Sequence, residues 1–108
     1  MENMENNDAL EKLFHKAMIS VYEKALKECG YKATYFLRMV NELGGVRAAK
    51  RLLSNPNIQY GFEKLWECGR LDLTVEYLVL RPEWKGLFTE EEKNIARNRL
   101  KEYGFNQE

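Results

Sequence analysis

The most constraining feature of this sequence is a stripe of apolar residues that repeats at three- and four-residue spacing near its start. The stripe begins at Leu10 and ends at Cys29, which is about six turns of an α-helix. Its members are Leu10, Leu13, Phe14, Ala17, Met18, Val21, Tyr22, Ala25, Leu26 and Cys29. This spacing places them on one helical face, so the rest of the chain must fold to cover that face. Asp8 is the predicted N-cap, and residues 1–7 are predicted to be a disordered lead-in.

Glycine and proline residues divide the remaining sequence into further short helices. The predicted helices after the first cover residues 31–43, 46–54, 58–68 and 89–103. In the last of these, Thr89 and Glu92 form the pattern of a capping box. We predict a single all-α domain over residues 8–105, folded as a compact bundle of five to seven short helices behind one long N-terminal amphipathic helix.

The segment Gly69–Leu80, GRLDLTVEYLVL, sets Arg70, Asp72 and Glu76 among apolar residues. Residues 71–77 alternate as in a strand, but the chain shows no second strand pattern with which this one would pair. We therefore predict a short helix with Asp72 as its N-cap and with Glu76 buried against an arginine. The candidate partners of Glu76 are Arg70, Arg38, Arg51 and Arg99, with Arg70 first. The three charges are thus assigned structural roles.

The overall charge gives the chain no general affinity for polyanions. Seventeen basic and seventeen acidic residues give a formal net charge of zero. Locally, residues 31–54 carry five basic residues and one acidic residue. Residues 55–92 carry four basic and eight acidic residues. Such opposite blocks are more typical of internal complementarity than of a binding surface.

The two cysteines, Cys29 and Cys68, form no metal-binding or redox motif. A disulfide between them is an alternative, but the acidic, polar N-terminus lacks the features of a signal peptide, which favours reduced thiols. No apolar run is long enough to span a membrane. We expect a cytoplasmic protein without membrane contact.

The residues needed for catalysis are scarce. His15 is the single histidine, and no serine or cysteine motif accompanies it. The sequence has no glycine-rich phosphate loop and no zinc-ligand spacing. The third hypothesis is an enzyme that uses Asp72 and Glu76 as a pair of catalytic carboxylates. A cap and an ion pair explain both more simply, so we predict no catalytic residue, metal or cofactor.

A nucleic-acid interface is the alternative to a protein interface. The predicted helices 46–54 and 58–68 follow the order of a helix-turn-helix, in which the second helix enters the major groove. Arg47, Lys50 and Arg51 on the first of them would hold phosphates. The acidic second helix and the long turn between the two helices oppose this hypothesis.

Aromatic residues are more numerous than a small core needs. Such residues are enriched at the centres of protein interfaces. The candidate interface residues are Trp66, Trp84, Tyr35 and Tyr60.

Three blocks in the second half of the chain carry a resemblance. They are G-F-x-x-L-W-x-x-G-R-L-D-L-T-x-E from Gly61, L-F-T-x-E-E from Leu87 and A-R-x-R-L-x-x-Y-G from Ala96. This half resembles a small all-helical bacterial domain of uncharacterised function. The resemblance implies association with DNA-processing or defence proteins and supplies no catalytic residue.

Taken with the residues, these observations predict a non-enzymatic binding module. We expect it to act through a protein partner or as a homo-oligomer. The alternative is a helix-turn-helix-like DNA-binding or defence-related accessory domain.

Overall fold

In a computed structural model, the chain is an all-α bundle. The structure describes the backbone of residues 2–57 and 60–105. It describes their side chains from residue 8 onward, except that of Tyr60. No strand occurs in these residues, so the predicted fold class is confirmed. The helices are α1 (Glu2–Cys29), α2 (Thr34–Leu43), α3 (Gly45–Ser54), α4 (Tyr60–Glu67), α5 (Val75–Val79) and α6 (Glu90–Glu102). Two 3-10 turns, Leu71–Leu73 and Pro82–Trp84, flank α5.

The long helix α1 contains the predicted apolar stripe. Phe14 and Met18 are completely buried, whereas Leu13 and Leu26 are 54% and 41% exposed, so the prediction that the whole stripe is covered is wrong at these two positions. The helix begins at Glu2, so Asp8 lies within it and the prediction that Asp8 is the N-cap is wrong. The predicted disordered lead-in falls on residues 1–7, whose side chains lie outside the described residues, and it stays a prediction.

The connection from α1 to α2 is longer than predicted, because the residue after the glycine cap of α1 still bonds to α1. Gly30 has a φ of +65°, a left-handed conformation that favours glycine. The Tyr31 N–H then donates to the Ala25 carbonyl (3.1 Å), so Tyr31 belongs to the end of α1. Helix α2 consequently begins at Thr34 and not at Tyr31.

The two adjacent glycines between α2 and α3 have different roles. Gly44 has a φ of +87° and makes the turn. A Cβ atom on Gly45 would lie 2.6 Å from the His15 Cα atom, so only a glycine lets α3 approach α1 this closely. The Gly45 N–H also donates to His15 Nδ1 (3.0 Å), and the single histidine thereby binds the first turn of α3.

Side-chain caps begin the two C-terminal helices. Thr74 Oγ1 accepts from the Tyr77 N–H (3.1 Å), so Thr74, and not Asp72, is the N-cap of α5. At the start of α6, Thr89 and Glu92 form the predicted capping box. Helix α6 then packs against α5 and α3.

The main core contains a cluster of aromatic rings. Phe14 makes edge-to-face contacts with Trp84 and Phe88, with centroid distances of 5.2 and 5.1 Å. Trp84 is buried, so its prediction as an interface residue is wrong. Its Nε1 atom has no hydrogen-bond partner among the described residues.

The short helix α4 is held by a disulfide and by the ring of Tyr103 at the end of α6. Cys29 at the end of α1 is bonded to Cys68 just after α4, with a Cα–Cα distance of 6.0 Å, so the prediction of reduced thiols is wrong. Both Phe62 and Trp66 pack edge-to-face on Tyr103, with centroids 5.0 and 5.2 Å away. Disulfides are rare in cytosolic proteins, so this bond does not favour the cytoplasmic location, which stays a prediction.

Candidate functional site

A cavity of about 200 Å³ lies between α1, α2, α4 and α5 and is the candidate binding site. Most of its wall is apolar or aromatic. Residues from all four helices contribute, among them Tyr22, Ala25, Phe36, Phe62, Leu65 and Val75. Tyr35 lies at the edge of the cavity and is 70% exposed, which places the opening of the cavity on the side of α2. An open apolar cavity with a few polar groups is the usual form of a small binding site.

Thr74 and Glu76 contribute polar groups to the cavity wall. The Thr74 hydroxyl is already satisfied, since it donates to the Leu71 carbonyl (2.7 Å) and accepts from the Tyr77 N–H. Among the described residues of the wall, Glu76 is the one acidic residue, and it is 4% exposed. A ligand in the cavity would therefore meet one carboxylate among mainly apolar and aromatic side chains.

The Glu76 carboxylate is paired with Arg99 of α6. Arg99 Nη1 donates to Glu76 Oε2 at 3.0 Å, and both side chains are buried. The same guanidinium donates to the carbonyls of Leu52 and Leu53 (3.2 Å each) and of Asn55, and so satisfies the end of α3. Burial raises the pKa of Glu76, and the Arg99 hydrogen bond offsets this only in part.

Arg70 is not the partner of Glu76, although it was the first candidate. Its guanidinium binds Asp72 through two hydrogen bonds of 2.9 and 3.0 Å and also contacts Glu28 at the end of α1. Hydrogen bonds from Arg70 lower the pKa of the Asp72 carboxyl. Asp72 and Glu76 thus have separate arginine partners, and the structure does not show them acting as one pair of carboxylates.

Two of the four predicted interface residues are exposed. Tyr35 is at the edge of the cavity, and Trp66 of α4 is 47% exposed while it packs on Tyr103. The side chain of Tyr60 lies outside the described residues, and Trp84 is in the core. Tyr35 is therefore at the opening of the cavity, and Trp66 is on α4, the helix that forms one wall.

The predicted nucleic-acid residues of α3 are in different environments. Arg47 and Arg51 are exposed. Lys50 is half-buried, binds Glu92 (2.8 Å) and lies 5.2 Å from the centre of the Phe88 ring. The main packing partners of α3 are α1, α2, α6 and α5. The nucleic-acid hypothesis stays a prediction that depends on Arg47 and Arg51.

Comparisons with known proteins add no family to this description. A scan against protein-family models, a search of curated proteins and a search of solved structures each find no match to this chain. Within residues 2–57 and 60–105, no helix has the length and apolar character to cross a membrane. The same residues contain no cluster of three or more His, Cys, Asp or Glu side chains that would hold a metal ion.

The cavity itself was not predicted from the sequence. Its wall combines residues far apart in the chain, and three of them, Ala25, Ala33 and Gly61, are small. Only their arrangement in space shows that at this point the helices remain apart.

Proposed function

We propose that this chain is a non-enzymatic binding module that contacts another protein through the cavity between α1, α2, α4 and α5. An apolar side chain of that protein enters the cavity beside Tyr35. The partner is a different protein or a second copy of this chain.

The observation that carries the proposal is a largely apolar cavity that opens beside an exposed aromatic residue. Aromatic residues around a pocket are typical of the energetically important centre of a protein interface. An apolar group that leaves water for such a pocket gains roughly 25 cal/mol for each Å² that is buried.

The arrangement of the charged groups also supports binding over catalysis. Glu76 is held by Arg99, and Asp72 is held by Arg70. General acid–base chemistry with two carboxylates requires both in one cleft, within reach of a substrate. The described wall of the cavity includes Glu76 but not Asp72, which supports binding over catalysis by this pair.

A variant with a filled cavity tests the proposal. Ala25 lies in the wall on α1 and is a helical residue, so Ala25→Leu adds three carbon atoms inside the cavity. We expect this variant to lose the protein that the wild type retains in affinity capture from its host, or to lose self-association in light scattering. Tyr35→Ala should weaken the same contact.

The matched control is Leu13→Ala. Leu13 is also on α1 and is exposed, but it is not part of the cavity wall. This variant should retain the partner. Equal capture by wild type and by Ala25→Leu, with circular dichroism showing that both are folded, would overturn the proposal.

A further inference from the structure

We infer that the group received by the cavity is the indole ring of a tryptophan side chain, with its N–H directed at Glu76. This inference depends on the proposed function, because it names the side chain through which the partner binds. It follows from the volume of the cavity, from the chemistry of its wall and from the state of its carboxylate.

The cavity has room for a bicyclic ring. A dry cavity of about 150 Å³ lined by leucine, isoleucine and phenylalanine is large enough to bind benzene. The present cavity of about 200 Å³ is larger by roughly the space of a second, smaller ring. Indole is the bicyclic ring that proteins carry.

The wall of the cavity suits a flat aromatic ligand. Tyr22, Phe36 and Phe62 come from three different helices and surround the space on several sides. Aromatic rings attract one another in edge-to-face and offset geometries, beyond the contribution of the area that they bury. The core of this protein already uses the edge-to-face geometry, at Phe14 and Trp84.

Glu76 selects a neutral hydrogen-bond donor. An ionised carboxylate offers about four lone-pair positions, and the Arg99 guanidinium and the backbone N–H of Glu76 itself take two of them. The charge of Glu76 is already balanced by Arg99, so a cationic ligand would bring an uncompensated charge into an apolar space. A carboxylate ligand would be repelled. An N–H on an uncharged ring meets the remaining acceptor positions without adding charge.

Isosteric small molecules test this inference on the wild-type protein. Indole and benzofuran have nearly the same shape, but benzofuran has an oxygen atom where indole has its N–H. Titration followed by NMR should show both ligands shifting resonances of the wall, with indole binding about tenfold more tightly, as expected for one hydrogen bond to a charged acceptor. Equal affinities, or shifts away from the wall, would overturn the inference.

Two variants and a control assign the effect to the cavity and to its carboxylate. Ala25→Leu should lose both ligands, and Leu13→Ala should bind them as the wild type does. The double variant Glu76→Met/Arg99→Met replaces the ion pair with apolar side chains, an exchange that many proteins tolerate. It should bind indole and benzofuran equally. A tenfold preference that persists in this folded double variant would contradict a role for Glu76.

N-acetyl-tryptophanamide distinguishes a side chain from a free small molecule. If the ligand is a tryptophan of a partner, this capped residue should displace indole from the wild type. Binding of indole without binding of the capped residue would overturn the assignment to a protein side chain. Loss of the captured protein in Ala25→Leu tests the proposed function separately, so that either can fail without the other.

Discussion

The Arg99 guanidinium joins three parts of the chain: its own helix α6, Glu76 in α5, and the final carbonyls of α3. Each contact satisfies a group that is costly to leave unpaired in the interior. The Arg99–Glu76 pair therefore determines how α3, α5 and α6 fit together. Arg99 also holds in place Glu76, the one acidic residue among the described residues of the cavity wall.

Removing Arg99 alone should be costly. Arg99→Met leaves the Glu76 carboxylate and the α3 carbonyls buried without their partner, and we expect a loss of about 3–5 kcal/mol in the free energy of unfolding. The double variant Glu76→Met/Arg99→Met should recover part of this loss. Urea denaturation measures both, and Arg97→Met on the exposed side of the same helix is the control, with a change within about 0.5 kcal/mol.

The surface pair of Arg70 and Asp72 should make a small, acid-sensitive contribution to stability. Because Arg70 lowers the pKa of folded Asp72, the contribution is present above the unfolded pKa of about 3.9 and is lost as the pH falls through the folded pKa. Both side chains are more than a third exposed, so solvent screens the pair and its contribution is small. Asp72→Asn should be less stable than the wild type at pH 7 and should approach it near pH 2. A difference that grows on acidification would contradict this assignment.

At the level of helices, a close contact between α1 and α3 depends on Gly45. Its missing side chain allows the α3 backbone to reach the His15 Nδ1 atom and lie directly against α1. The alanines Ala48 and Ala49 continue the same close packing along α3, where both are completely buried.

Gly45→Ala should therefore destabilise the protein by about 1–3 kcal/mol, although alanine is the better helix former. The added Cβ atom meets backbone, which cannot move without displacing a helix. Thermal unfolding measures the effect. The control is Gly61→Ala, another helical glycine, whose Cβ would meet the end of the Tyr31 side chain at 3.1 Å and which should change stability less. Equal effects of the two changes would argue against the α1–α3 contact as the cause.

At the level of the whole molecule, the Cys29–Cys68 disulfide and the neighbouring Arg70–Glu28 contact tie the end of α1 to the segment after α4. Helix α4 forms one wall of the cavity through Gly61, Phe62 and Leu65. The link therefore fixes the distance between two walls of the candidate site.

Reduction of this disulfide should lower the free energy of unfolding by about 4 kcal/mol, the estimate for closing a loop between cysteines separated by 39 positions. Urea denaturation with and without dithiothreitol measures this loss. Hydrogen exchange should show a larger loss of protection in α4 than in α6, because α6 keeps its contacts with α3 and α5. Cys29→Ser/Cys68→Ser should reproduce the reduced protein and be insensitive to dithiothreitol.

The local sequence determined the helical class, most of the buried face of α1, the glycine-terminated turns and the capping box of Thr89. These features depend on spacing and on interactions between residues a few positions apart, which a sequence displays directly. The same local information also predicted that Glu76 would need an arginine.

Tertiary structure decided which arginine pairs with Glu76 and whether the two cysteines are bonded. It also decided that a cavity lies between the helices. Arg99 is 23 positions from Glu76, and Cys68 is 39 from Cys29. Several arginines satisfied the chemical requirement equally well, and only the packing of α6 against α5 brings one of them into contact. The Asp72 cap was wrong for a related reason: Arg70 binds that carboxylate, and Thr74 caps α5 in its place. A cavity exists only between packed elements, so its position could not be predicted from any one of them.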